Sequence, residues 1–132
     1  DISPEENQYE AGLNFAISYK KNVNFIGKNA LLKIKEKKPI KKLIMLTLQN
    51  NKPGEPLLLH DEPIYLEDKI IGRTTSGNFS FNFDKNLAFG YVKEDLIHKN
   101  QNGSKLYIEI AKKKYPADLL LGPLNQTNFK SI

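Results

Sequence analysis

The chain of 132 residues is long enough for one domain with a hydrophobic core, or for a small domain with an appended segment. It has no cysteine, which excludes disulfides and sulfur-ligated metals and permits a reducing cytoplasm, the compartment we predict. The net charge of +5 comes almost entirely from lysine, since Arg73 is the only arginine, and this scarcity of guanidinium groups argues against a nucleic-acid partner.

The first segment is polar and acidic over residues 1–12 and lacks the basic and apolar pattern of a signal peptide. Since the only methionine is Met45, we expect the chain to be part of a longer protein or a processed form. The stretch LNFAISY then alternates and places four apolar or aromatic side chains on one side: Leu13, Phe15, Ile17 and Tyr19. Alternation of this kind predicts a half-buried strand.

A short helix is predicted next, over about residues 27–37 of FIGKNALLKIKEKKP. Its apolar residues recur at helical spacing, and lysines fill the opposite face, which is typical of an amphipathic helix with a solvated side. Asn24 is a candidate for its N-terminal cap, and Pro39 prevents the helix from continuing past about residue 38.

After Pro39 the pattern changes to short apolar segments, each bounded by Gly, Pro, Asn or Asp: IKKLIMLTLQ, PIYL, KIIGRTT, LAFGYV, KLYIEI and YPADLLL. Short strands at regular spacing are typical of an antiparallel barrel or sandwich. We therefore predict a mainly β fold, a small antiparallel β-barrel preceded by a strand–helix segment. The domain boundary falls at Pro39, with residues 1–38 before it and residues 39–132 forming the barrel.

The stretch DKIIGRTTSG combines glycines, hydroxyls and a cation, as phosphate-binding loops do. Its spacing matches neither the P-loop nor the dinucleotide fingerprint, and no helix follows it. We therefore predict a hairpin turn at residues 67–69, a strand with a bulge at Gly72, and a backbone turn at Gly77. Arg73 remains a candidate for pointing into a site.

The rest of the sequence shows no self-contained catalytic set, so we assign no catalytic residue and no metal ligand. Phe79, Phe81 and Phe83 alternate but have no neighbouring cation, which favours packing over base stacking. His60 and His98 have no partner at metal-ligand spacing. No apolar run is long enough for a membrane span, so we predict no membrane association.

Six segments in order resemble the C-terminal part of the aminomethyltransferase family: YEAGLNFAI, NFIGKNAL, EPIY, GRTTSG, LAFGYV and YPADLLLGPL. That family includes the glycine cleavage T-protein and the folate-binding half of the flavoenzymes dimethylglycine dehydrogenase and sarcosine dehydrogenase. Three of these segments are closer to the flavoenzymes than to the T-protein: NFIGKNAL, EPIY with TTSG, and LAFGYV. The resemblance implies that residues 1–38 belong to a preceding folate-binding domain and that residues 39–132 are the C-terminal barrel.

The chemistry that the resemblance implies is oxidation of an N-methylated glycine. In such flavoenzymes FAD takes a hydride from the amine, and tetrahydrofolate accepts the resulting one-carbon unit. The FAD domain and the catalytic aspartate of relatives lie upstream of the matching region, so this stretch is not expected to turn over by itself. Its expected partners are the upstream domains of its own chain and a small methylated amine, and its folate site is expected to be shared with those domains.

The resemblance also suggests site residues. Glu10 occupies the Glu of the EAGL motif, Phe15 falls where relatives place an aromatic against folate, and Phe129 matches an aromatic near the end of T-proteins. We predict that these three and Arg73 contribute to cofactor binding. The alternatives are a loop cap for Glu10, strand core for Phe15 and tail packing for Phe129. The lysine-rich surface would suit a polyglutamate tail.

Two other functions remain open from the sequence. The first is a stand-alone T-protein aminomethyltransferase, which a dinucleotide motif upstream of Asp1 would exclude. The second, from another class, is a non-catalytic β-barrel that binds nucleic acid. Salt-dependent retention on single-stranded DNA would support that function.

Overall fold

The computed structural model describes residues 1–21, 23–49, 52–97 and 105–120. In chain order these contain a one-turn 3-10 helix Asn14–Ala16, α1 Lys28–Lys35, β1 Lys41–Leu48, β2 Pro63–Leu66, β3 Lys69–Ser80, β4 Lys85–Lys93, α2 Glu94–Ile97, β5 Leu106–Ile110 and β6 Lys113–Leu120. No helix within these ranges has the length and apolar character needed to cross a membrane.

The six strands form a closed antiparallel barrel in the order β1-β4-β3-β2-β5-β6, with β6 pairing back onto β1. Alternate residues point inward, as in β5, where Leu106, Ile108 and Ile110 are buried and the residues between them are half-buried. Leu46, Leu48 and Ile64 complete the centre of the core. The predicted small antiparallel barrel is therefore confirmed.

The hairpin between β2 and β3 forms as predicted. Leu66 pairs with Lys69 across the turn, and Glu67 takes a left-handed φ of 54° in it. The register shifts by one residue where Ile64 pairs with Gly72 and Tyr65 pairs with Ile70, which is the predicted bulge beside Gly72. A second shift follows at residue 75 in the pairing with β4.

The predicted turn at Gly77 is wrong. Gly77 lies inside β3, opposite Ala88, and an added Cβ would lie 2.5 Å from the Cβ of Leu58. The glycine is needed because the connection from β1 to β2 crosses the strand at this point, and not because the chain turns. The chain turns instead just after Ser80, which leaves Phe81 exposed and edge-on to Phe79, with ring centroids 5.2 Å apart.

The predicted strand over residues 13–19 is also wrong, because residues 14–16 form a 3-10 turn instead. Gly12, with φ of 73°, redirects the chain just before it. The six strands already pair into a closed barrel, and no described strand pairs with residues 13–19.

The predicted helix is confirmed as α1, Lys28–Lys35. Its predicted cap is not, since the N-cap residue is Gly27, with φ of 87°, and no side chain caps the helix. Asn24 lies three residues too early to reach the first free amides. All residues of α1 are exposed or half-buried, so the helix packs only lightly on the rest of the described chain.

Candidate functional site

Residues 1–12, here called the strap, contact the barrel beside the start of β1. The backbone N–H of Leu43 donates to the carbonyl oxygen of Glu10 at 2.8 Å. The Lys41 ammonium nitrogen lies 2.5 Å from Glu6 Oε1 and 5.0 Å from the centre of the Tyr91 ring. The polar, acidic sequence of the strap therefore meets a lysine and an aromatic ring on the barrel.

The Tyr91 hydroxyl is buried beneath this contact and has no hydrogen-bond partner among the described residues. Burial raises its pKa, and the nearby carboxylates of Glu6 and Glu10 raise it further. The hydroxyl therefore stays protonated, as a donor facing two acidic side chains of the strap.

Glu10 is only 6% exposed and is held by its own loop. Its Oε2 accepts from the backbone N–H of Asn7 at 3.2 Å, and Asn7 Oδ1 accepts in return from the N–H groups of Tyr9 and Glu10. These are the contacts of a loop cap. Glu10 also lines a small cavity of about 160 Å³ beside Lys37 and Lys38, and its role toward a cofactor stays a prediction.

Phe15 lies on the 3-10 turn, with 82% of its surface exposed. Its alternative role as strand core is therefore wrong. The hydroxyl groups of Tyr9 and Tyr19 meet at 2.6 Å below it and close the loop that carries it. A cleft of about 500 Å³ opens beside the turn, lined by Ala16, Ile17, Phe25 and Leu31 among others. The turn thus carries an exposed aromatic ring at Phe15 and contributes its next residue, Ala16, to the wall of a mainly apolar cleft.

Arg73 lies on β3, with its main chain paired to Pro63 on one side and Tyr91 on the other. Its guanidinium is exposed and donates to the carbonyl oxygen of Asp61 at 3.1 Å. No described contact joins it to Glu10 or Phe15, so the structure brings those two residues onto one loop and leaves Arg73 apart. Phe129 lies outside the described residues.

The described residues contain no group of three or more His, Cys, Asp or Glu side chains placed to hold a metal ion. His60 is exposed and lies 2.9 Å from the Asp61 carboxylate, through its Nδ1. His98 lies outside the described residues.

Sequence reasoning missed four residues that shape this site: Glu6, Lys41, Tyr9 and Tyr19. Glu6 and Lys41 are 35 positions apart, and no local period links them. Tyr19 follows the alternating pattern of Leu13, Phe15 and Ile17, so the sequence assigned it to a strand and gave no sign of its contact with Tyr9. Only the acidic character of the strap and the basic character of residues 28–42 hinted that the two segments attract each other.

The ion pair of the strap should make stability depend on pH in acid. Hydrogen bonds from Lys41 and Ser3 hold the pKa of Glu6 at about 2, below its ordinary 4.5. A carboxyl group whose pKa is lowered by folding stabilises the folded state at pH values above its ordinary pKa. That stabilisation is lost as the pH falls through the folded-state pKa. The wild type should therefore have a higher free energy of unfolding than Glu6→Gln, and this difference should decrease as the pH falls from 4.5 to 2. Urea unfolding at each pH measures it. Glu5→Gln, one residue earlier and exposed, is the control, and an equal slope for both variants would contradict the assignment.

Comparison with known proteins gives a consistent picture. Residues 41–125 match the family model of the glycine cleavage T-protein C-terminal barrel domain. Mitochondrial dimethylglycine dehydrogenase of Rattus norvegicus is 35% identical over 124 residues, which is 94% of this chain and 14% of that protein. An aminomethyltransferase of Listeria welshimeri is 37% identical over 123 residues, 93% of this chain and 32% of that protein.

Two further comparisons extend the range. The formaldehyde-forming 4-methylaminobutanoate oxidase of Paenarthrobacter nicotinovorans is 33% identical over 95 residues, 72% of this chain and 11% of that protein. The crystal structure of glycine cleavage system aminomethyltransferase T from Bartonella henselae superposes with a TM-score of 0.71 at 27% identity, covering 89% of this chain and 31% of that chain. The chain thus spans about a third or less of the length of these relatives.

Proposed function

Because the chain belongs to the glycine cleavage T-protein C-terminal barrel domain family, we propose that it is the tetrahydrofolate-side domain of an FAD-dependent oxidoreductase of N-methylated glycines, such as dimethylglycine or sarcosine. In that role the parent protein oxidises the amine, and tetrahydrofolate, when bound, accepts the one-carbon unit. FAD belongs to the upstream part of the parent protein, and no FAD-binding segment is proposed in this chain.

The observation that carries the proposal is the distribution of exposed apolar side chains. Of the thirteen large apolar side chains that are exposed in the described residues, eight lie within residues 1–40. Phe15, Val23 and Ile26 are the most exposed of those between the strap and α1. Val23 and Phe25 line one cleft together with Ile17 and Leu31, and a contiguous apolar patch of this kind marks a contact with another protein unit or a ligand. It supports residues 1–38 as a wall completed by upstream domains of the same chain.

The chemistry of the loop fits a flat heteroaromatic cofactor. The exposed face of Phe15 offers a stacking surface, and the cleft beside its turn adds apolar side chains such as Ile17, Phe25 and Leu31. Lys37 and Lys38 lie beside Glu10 at the small cavity and would suit the carboxylates of a polyglutamate tail. In this proposal the chain binds and orients the cofactor, and the acid–base chemistry belongs upstream.

A stand-alone aminomethyltransferase is the second candidate, and the Listeria relative favours it with identity comparable to that of the dehydrogenase. The gene sequence upstream of Asp1 decides between the two. A G-x-G-x-x-G motif after a strand supports the flavoenzyme, and its absence supports the transferase. We still propose the cytoplasm as the compartment of this chain. The similar dehydrogenase of the rat is named as a mitochondrial protein.

Phe15→Ala in the full-length protein should weaken tetrahydrofolate binding by about 1–3 kcal/mol, as expected for loss of an aromatic stacking partner. Because 82% of the ring is exposed, the substitution should change the free energy of unfolding only a little. Isothermal titration calorimetry measures the affinity directly. Phe81→Ala removes a ring that is 80% exposed on the turn between β3 and β4 and is the matched control. Equal affinities for the wild type and Phe15→Ala would remove Phe15 from the site.

A further inference from the structure

The loop of residues 9–19 is closed by a single side-chain contact. The hydroxyl oxygens of Tyr9 and Tyr19 lie 2.6 Å apart, and both side chains are half-buried. The Lys35 ammonium nitrogen lies 5.1 Å from the centre of the Tyr19 ring, so α1 supports this side of the loop. Phe15 lies between the two tyrosines in sequence.

The two ends of this loop are held very differently. The Tyr9 end is anchored on the barrel, because Leu43 donates to the Glu10 carbonyl oxygen and Ala11 is buried. The Tyr19 end has no described backbone hydrogen bond to the barrel. Backbone hydrogen bonds from Leu13 to Gln8, from Ala16 to Leu13 and from Ile17 to Asn14 hold the middle of the loop. Within the described residues, the Tyr9–Tyr19 contact is the hydrogen bond that joins residue 19 itself to the anchored end.

We propose that Tyr9 and Tyr19 are positioning residues: the bond between their hydroxyl groups fixes the loop so that the Phe15 ring is already placed for a flat cofactor. The inference rests on the proposed function and adds residues that neither the sequence motifs nor the comparisons assign. A pre-formed loop avoids the entropy cost of ordering Phe15 when the ligand binds. Burial and the bond to Tyr19 raise the pKa of Tyr9 to about 12, so the contact persists through the neutral pH range.

The test uses the full-length protein, with Tyr9→Phe, Tyr19→Phe and the double variant, titrated with tetrahydrofolate. Each single variant keeps its ring and loses only the shared hydrogen bond, so we expect about a three- to tenfold loss of affinity. The double variant should be no weaker than either single one, because both remove the same interaction. In a Phe15→Ala background Tyr19→Phe should cause no further loss, which a general destabilisation would not reproduce. Tyr107→Phe, a half-buried tyrosine on β5, is the control.

Hydrogen exchange of the Ala16 and Ile17 amides, which donate to the carbonyl oxygens of Leu13 and Asn14, supplies a readout that needs no ligand. These amides should exchange faster in Tyr9→Phe and Tyr19→Phe than in the wild type. Unchanged exchange, or full affinity in Tyr19→Phe when the wild type binds tetrahydrofolate, would overturn the positioning role. If the wild-type protein does not bind tetrahydrofolate, the proposed function fails, and the exchange rates alone decide whether the tyrosines hold the loop.

Discussion

Replacing Gly72 by alanine should strongly destabilise the barrel. A Cβ at this position would lie 1.9 Å from the carbonyl oxygen of Tyr91 and 2.9 Å from Cγ1 of Val92. The oxygen belongs to the backbone of β4, which pairs along β3 and β1, so it cannot move without disrupting both ladders. We expect a loss of more than about 3 kcal/mol, beyond the usual cost of overpacking a core. Urea unfolding followed by circular dichroism measures it.

Gly54→Ala is the matched control for this substitution. Gly54 has φ of 72°, and an added Cβ would meet nothing within 4 Å. The same chemical change there should cost only the backbone strain of a left-handed alanine, about 1–2 kcal/mol. If Gly72→Ala is no more destabilising than Gly54→Ala, the close approach of β3 and β4 at Gly72 is not as described.

The second large effect is expected at Ile64, which is fully buried at the centre of the core. It pairs with Ile108 on one side and with Gly72 on the other, so β3 and β5 both pack around it. Ile64→Ala removes buried methyl groups and leaves a cavity that a closed barrel cannot easily collapse. We expect a loss of about 2–5 kcal/mol in the free energy of unfolding.

Ile64→Val is the control that shows whether the cost grows with the buried volume removed or arises from any substitution at this position. It deletes one methyl group and should cost about 0.5–1.5 kcal/mol. Both variants should unfold in a single transition with an unchanged denaturant slope, since the barrel itself persists. A loss for Ile64→Ala as small as that for Ile64→Val would show that the barrel relaxes around the cavity.

Much of the barrel could be predicted because its strands carry a local period. In KLYIEI the residues at every second position face the core, so the sequence marks both the strand and its buried side. The bulge beside Gly72 was predictable for the same reason, since a glycine inside a β-branched run marks a break in the ladder. Gly77 shows the limit: its close neighbour Leu58 comes from a distant connection, which no local pattern reveals.

The candidate site was less predictable because its contacts join segments without periodic spacing. The alternation from Leu13 to Tyr19 is real, but a strand also needs a partner, and no described strand pairs with these residues. The resemblance to the family drew attention to Glu10 and Phe15. It did not indicate that Tyr9 and Tyr19 close the loop between them, since that contact depends on how the strap is seated on the barrel.

The pairing of β6 with β1 has a consequence for how such a module is inherited. A sheet that closes on itself keeps most of its backbone hydrogen bonds within its own strands, with exceptions such as Leu43 to Glu10, so an attached unit is recognised mainly through side chains and connecting segments. Fusion to a new neighbour then requires changes on the surface alone. Dehydrogenases, oxidases and transferases could each acquire the same module by recombination without redesigning its interior.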